Sequence, residues 1–287
     1  MSNNQFFKTL IRQSARPAII AATFWAGYAL GNRRNDSQHH RPLLLSHKRR
    51  AFLIDWDGCL CDSAPRIIKR INLVATELKR RYPTLQLDES LLLLPCTGEL
   101  ASHLQKVFGE SYAKEAHSLY MEYMNHPEIP PKRPFDGAEE FLQKLKDEGT
   151  PFAIVSNGTD NFVRQGIKDF AWEQLFSEVP IVTVDSVKTL NKPNPRHFQA
   201  ALDILKINLD NPDDPFEIII IGDGKDSDML GALNYADSIA KPHITVSAFW
   251  TNHNKNTPCQ LTAVSSFAEL DEQLFDSTPK RTISLKT

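Results

Sequence analysis

The most constraining feature of the sequence is the run Glu217-Ile218-Ile219-Ile220-Ile221-Gly222-Asp223-Gly224. Four β-branched residues in succession leave no polar face. Such a run fits a strand buried on both sides, as in a parallel sheet. Four other runs share this character: AFLID (51–55), PFAIVSN (151–157), VPIVTV (179–184) and HITVSAF (243–249). Amphipathic helical patterns lie between them, at DGAEEFLQKLKDEG (136–149), PNPRHFQAALDILK (193–206) and DSDMLGALNYA (226–236). Strands alternating with helices specify an α/β fold with a mostly parallel sheet. Residues 64–133 break the rhythm. They carry the helical patterns PRIIKRINLVATELKRRY, GELASHLQKVFG and ESYAKEAHSLYMEYM and no strand, which predicts a helical module inserted after the first strand. Leu91–Leu94 is read as a helix turn or a packed loop.

Apolar residues make up 41% of the 287 and charged residues 24%, a globular composition able to fill a core. Four cysteines are too few for a disulfide scaffold. The net charge of −2 gives no electrostatic footprint for nucleic acid, and no nucleic-acid partner is expected. That average hides an asymmetry: residues 1–50 carry +8 and the rest −10. Lys8, Arg12 and Arg16 share one face of a potential helix, and no acid precedes Asp36. An acid-free amphipathic start of this kind resembles a mitochondrial transit peptide. The following 17–32 run has 16 uncharged residues, marginal for a membrane span but long enough for membrane contact. The leader is therefore read as a mitochondrial targeting segment or a membrane anchor; the alternative is a basic tail on a cytoplasmic protein. His39 and His40 fall in a polar linker. The organisation expected is a basic segment and linker (1–50), a core (51–66 and 134–275), an inserted helical module (67–133) and a basic tail (276–287).

Ligands of open α/β sheets bind at the carboxyl ends of the strands. Asp55-Trp56-Asp57-Gly58 follows the first run, Ser156-Asn157-Gly158 the second, and Gly222-Asp223-Gly224-Lys225-Asp226-Ser227-Asp228 the fourth. Lys192-Pro193 stands before the 193–206 helix. Two carboxylates two residues apart suit covalent attack on phosphorus by one and proton transfer by the other. Attack by an anion on a phosphate dianion demands charge neutralisation, which Mg²⁺ held by carboxylates supplies. Asp223 is placed to complete such a site with Asp55, while Lys192 and Ser156 are suited to phosphate oxygens.

These four segments, in this order, resemble the motifs of the haloacid dehalogenase (HAD) superfamily. AFLIDWDGCLCDS is similar to its hhhhDxDGTLxDS, FAIVSNG to its second motif, NKPNPRHF to its lysine motif and IIIIGDGKDSDMLGALNYA to its acidic motif. The resemblance spans most of residues 51–250. It implies a Rossmann-like parallel sheet flanked by helices with an inserted α-helical cap, of the phosphoglycolate-phosphatase-like kind. By position it implies Asp55 as nucleophile and Asp57 as acid/base. It implies Mg²⁺ on Asp55, the Asp57 carbonyl and Asp223, with phosphate held by Ser156, Asn157 and Lys192. The activity implied is Mg²⁺-dependent hydrolysis of a small phosphorylated metabolite through an aspartyl-phosphate. A phosphomutase and a catalytically inert scaffold tethered at a membrane are the alternatives; the sequence leaves substrate and oligomeric state open.

Four positions depart from the family pattern: Cys59 for the usual Thr or Val, Asn191 for Gly, and acids at Asp226 and Asp228 where many helical-cap members have one between them. Asp226 and Asp228 are expected to orient metal-bound water, neutralise Lys192 or cap the next helix. Cys59 and Cys61 are too closely spaced for a zinc half-site. Asp62 and Ser63 are read as helix caps, Trp56 as packing or lining the entrance, and His103, His117 and His126 as surface residues of the helical module.

Overall fold

The structure, a computed structural model, describes residues 49–94, 100–188, 190–251 and 262–275. The leader, its 17–32 run and the 276–287 tail lie outside the described residues. Among the described residues no helix is long and apolar enough to cross a membrane.

Six parallel strands form one sheet in the order β3-β2-β1-β4-β5-β6. They are β1 (Arg49–Ile54), β2 (Phe152–Val155), β3 (Ile181–Val182), β4 (Phe216–Gly222), β5 (Ile244–Thr251) and β6 (Thr262–Val264). The five expected strands are present. The short β6 adds a sixth, which carries no continuous apolar run to announce it. Ile54 is level with both Ile154 and Ile221, so the carboxyl ends of β1, β2 and β4 finish together. The order in which strands are added to the sheet reverses between β1 and β4, the switch point where such sheets open a crevice.

Side chains alternate across β1. Phe52 and Ile54 enter one core with Trp56, Phe141, Leu145 and Trp172; Ala51 and Leu53 enter the other with Phe198, Leu202 and Ile220. Both faces are thus buried, as the unbroken apolar runs require. Helices α4 (Ala138–Asp147), α5 (Asp160–Asp169) and α9 (Phe267–Phe275) belong to the described core, as do α6 (Val184–Val187), α7 (Pro195–Ile204) and α8 (Leu230–Ile239).

Between β1 and α4 lie α1 (Ala64–Arg81), α2 (Leu100–Phe108) and α3 (Glu110–Glu122). Leu91–Leu93 falls within a 3₁₀ turn, Glu89–Leu93. These helices bury their own apolar cluster, including Ile71, Val74, Leu78, Leu104, Phe108 and Leu119. Two chain segments connect them to the sheet side by side: Asp62 N–H donates to the Arg133 carbonyl and Phe135 N–H to that of Leu60, 2.9 and 3.0 Å.

Candidate active site

Each strand end contributes its acid or hydroxyl for a local reason. Asp55 is the first residue beyond β1, and its amide still donates to the Ile221 carbonyl at 2.9 Å. The chain then turns at Gly58, whose φ of +75° suits glycine. A Cβ at Gly58 would overlap the Asp223 carboxylate, so the first and fourth segments approach only because that position is bare. Asp223 is further fixed by Trp250, whose Nε1–H donates to its carbonyl at 2.6 Å.

Lys192 lies at the centre, with its side chain 1% exposed. Its Nζ is 2.7 Å from Asp55 Oδ1 and 2.5 Å from Asp228 Oδ1. Burial works against its charge, but Asp228 and Asp55 outweigh burial and hold its pKa above the ordinary lysine value. Asp228 also accepts from the Gly224 amide (3.0 Å) and the Ser227 hydroxyl (3.1 Å) on Oδ2. Of the three roles expected for it, neutralising Lys192 is the one the geometry contains. Asp226 is exposed on the same turn and is not among the gathered acids. Helical winding is the cause: in the turn Lys225–Met229 only one of two acids two apart faces inward.

Asp55, Asp223 and Asp228 bring carboxylate oxygens within 4.8 Å of one another. Burial, then the Asp228 charge, pushes Asp55 well up and Asp223 up to about 7, against the opposing pull of Lys192. An all-oxygen cluster with excess negative charge fits a hard divalent cation. The Asp228 oxygens are already engaged by Lys192, Gly224 and Ser227, which leaves Asp55 and Asp223 as the carboxylates suited to it. The Asp57 side chain lies outside this cluster; its expected contribution was a backbone carbonyl.

Asp57 has a different environment. Burial raises its pKa, opposed by the Ser63 hydroxyl and the charges of Lys132, Lys192 and Arg70. Its Oδ1 is buried without a hydrogen-bond partner. Ser63, read from sequence as a helix cap, makes no side-chain cap bond at α1; its hydroxyl tempers the upward shift of Asp57. Ser156 is 1% exposed and its Oγ accepts from the Gly158 amide at 3.0 Å. Asn157 reaches across to the lysine segment. Its side-chain amide exchanges bonds with the Lys192 backbone, accepting from N–H at 2.9 Å and donating to the carbonyl at 3.1 Å. It braces the lysine segment through Oδ1 and one of its two side-chain N–H groups. Trp56 is fully buried and packs against Phe170, Trp172 and Phe176 rather than lining an entrance. Cys59 and Cys61 are buried free thiols whose pKa burial raises.

Residues 52–237 match the family model of the haloacid dehalogenase-like hydrolases. The chain belongs to this family. A phosphoglycolate phosphatase of Psychrobacter arcticus is 28% identical over 202 residues, covering 64% of this chain and 79% of that protein. The pyrophosphatase PpaX of Bacillus cereus is 27% identical over 189 residues, covering 65% and 80%. Among solved structures, an HAD family hydrolase of Deinococcus radiodurans with bound phosphate and sodium superposes with a TM-score of 0.54 at 21% identity, covering 79% of this chain and 95% of that one. An HAD phosphatase of Thermococcus onnurineus does so at 0.53 and 19%, covering 79% and 98%. These likenesses carry the fold: a parallel sheet flanked by helices, as in other haloacid dehalogenase-like hydrolases.

Proposed function

We propose that this chain is a Mg²⁺-dependent phosphatase that hydrolyses a small phosphomonoester through an aspartyl-phosphate on Asp55. The observation that carries this reading is the meeting of Asp55, Asp223 and Asp228 around Lys192, with a further, half-buried acid, Asp57, two residues from Asp55. The phosphatase names of the Psychrobacter and Bacillus relatives agree with it.

The two carboxylates divide the chemistry by environment. Asp55 Oδ1 accepts from Lys192 and from the Trp56 amide (2.8 Å), which orients the group and leaves Oδ2 for attack on phosphorus. Asp57, whose pKa burial raises, is the acid that gives a proton to the leaving alcohol oxygen as the ester P–O bond breaks. It then takes a proton from the water that attacks the acyl-phosphate, restoring Asp55 and releasing inorganic phosphate. Ser156 Oγ and Lys192 Nζ hold the phosphoryl oxygens, and Asn157 and Asp228 keep Lys192 in place. Mg²⁺, held by Asp55, Asp223 and the Asp57 carbonyl, supplies neutralisation of the negative charge that meets there. The α1–α3 module acts as a cap excluding bulk water, which restricts the substrate to small phosphorylated metabolites. Residues 1–50 are assigned to targeting or anchoring rather than to catalysis.

The test is phosphate release by the full chain from an aryl phosphate and a panel of small phosphomonoesters, with and without Mg²⁺. Release that needs Mg²⁺ and falls by at least ~10³-fold in Asp55→Asn is the expected result. A folded protein inactive on every ester, or an Asp55→Asn variant that keeps its rate, overturns the reading.

A further inference from the structure

Trp250 belongs to none of the four motif segments, yet its indole reaches the acidic site. It stands near the end of β5, level with Gly222 at the end of β4, and is buried. Its Nε1–H donates to the Asp223 carbonyl at 2.6 Å. That carbonyl shares a peptide unit with the Gly224 amide, which donates to Asp228 Oδ2 at 3.0 Å. The Asp223–Gly224 peptide is thus held at both of its polar ends. The bonds continue from there. Asp228 Oδ1 accepts from Lys192 Nζ at 2.5 Å, and the same ammonium lies 2.7 Å from Asp55 Oδ1. One line of bonds runs from the indole, through this peptide and an ion pair, to Asp55.

A peptide unit is planar, so holding it fixes the backbone on either side. Asp223 lies between two glycines, the residue type that resists rotation least. Both are required: a Cβ at Gly222 would lie 2.3 Å from Asp228 Cγ, and one at Gly224 1.9 Å from Ser227 Oγ. The backbone that carries the Asp223 carboxylate therefore owes its order to bonds from outside the turn, and the indole N–H makes one of them. Donation to the carbonyl also polarises the peptide, which strengthens the Gly224 N–H as a donor to Asp228. Groups that orient the ligands of a cation set its affinity, because disorder in those ligands must otherwise be removed on binding.

We infer that Trp250 is a positioning residue of the cation site: its indole N–H fixes the Asp223–Gly224 peptide and so sets the affinity of Asp55 and Asp223 for Mg²⁺. This deepens the Mg²⁺-dependent phosphatase reading above and rests on it.

Mg²⁺ binding to the full chain without substrate tests it, read from thermal melts across a range of Mg²⁺ concentrations at pH 8. Trp250→Phe keeps an aromatic ring and removes the N–H. It is expected to raise the Mg²⁺ dissociation constant about 3- to 10-fold, the worth of one hydrogen bond. Trp172→Phe is the control. That indole is also buried, but its Nε1 has no acceptor, so the variant loses core packing and no bond. It should melt lower than the wild type and keep the wild-type dissociation constant. A purely structural Trp250 would behave as Trp172 does, shifting the melting temperature alike with and without Mg²⁺. A dissociation constant unchanged in Trp250→Phe, or raised equally in Trp172→Phe, overturns the inference while leaving the Mg²⁺-dependent phosphatase reading intact. Wild-type protein that binds no Mg²⁺ overturns both. Should Trp250→Phe fail to fold, the indole N–H resonances of the ¹⁵N-labelled wild type decide. The Trp250 signal is expected to shift with Mg²⁺ along the binding curve, and an unmoved signal overturns the inference.

Discussion

A buried histidine beneath the site shows how single residues there are tuned. His197, on α7, is fully buried, and burial together with the Lys192 charge lowers its pKa to about 4 from an ordinary 6.5. The folded protein thus keeps this ring neutral under conditions that protonate it in the unfolded chain. Between pH 6.5 and about 4 the unfolded state binds the extra proton, so stability rises with pH across that window and is lost as pH falls through it. The shift corresponds to at most ~3 kcal/mol. Denaturant titrations at pH 7 and pH 4.5 are expected to show this loss, and His197→Gln to show a smaller difference between the two pH values. An equal difference in both proteins would place the acid lability elsewhere. Asn157 and Asp228 are positioned the same way, by bonds to Lys192 more than by contact with open space. For that reason their roles were only partly legible beforehand. A sequence shows that Asp228 is an acid near Asp223; it does not show which of two acids on a turn faces inward.

At the scale of elements, the packing of α5 on the loop after β1 sets the site's geometry. A Cβ at Gly166 would lie 2.5 Å from Trp56 Cζ2. Trp56 cannot retreat, being enclosed by Phe170, Trp172 and Phe176. Alanine gains ~1 kcal/mol of helix propensity over glycine, but overpacking a filled core costs ~1–3 kcal/mol. Gly166→Ala is expected to lower the melting temperature by a few degrees, and to lower kcat as well, because Trp56 sits between Asp55 and Asp57. A variant as stable and active as the parent would show that the α5 contact does not fix the two acids. The elements themselves were readable wherever burial dictated composition. The apolar runs ending in Asp55, Ser156 and Asp223 had to be strands buried on both faces, and their level ends follow from parallel register. Two things were not readable. β6 is three residues long and depends on β5 rather than on its own pattern. Arg70 is one of several basic residues in the 64–81 helix, and only the tertiary fold separates the buried one from Lys79, Arg80 and Arg81 at its exposed end.

For the whole molecule the decisive quantity is the charge left uncompensated where β1 and β4 end. Asp55, Asp223 and Asp228 surround one lysine, and burial with mutual repulsion raises the first two. A cation that binds this folded cluster and not the unfolded chain stabilises the fold by mass action, ~2.7 kcal/mol at one hundred times its dissociation constant. For a domain of this size that corresponds to roughly 5–10 °C in melting temperature. Protons compete for the same oxygens, and Asp223 retains its proton up to about pH 7. The stabilisation by Mg²⁺ is therefore expected to be small at pH 5.5, to grow through pH 7 and to be largest near pH 8. EDTA should reverse it, and Asp223→Asn should abolish the increment at every pH. Asp226→Asn, altering an exposed acid on the same turn, should leave it in place. Thermal melts of the full chain across these conditions measure folding and not turnover, so they report on the cation site independently of any substrate. Equal melting temperatures with Mg²⁺ and with EDTA at pH 8 would mean that this acidic cluster is not a cation site, and that Lys192 alone must balance it.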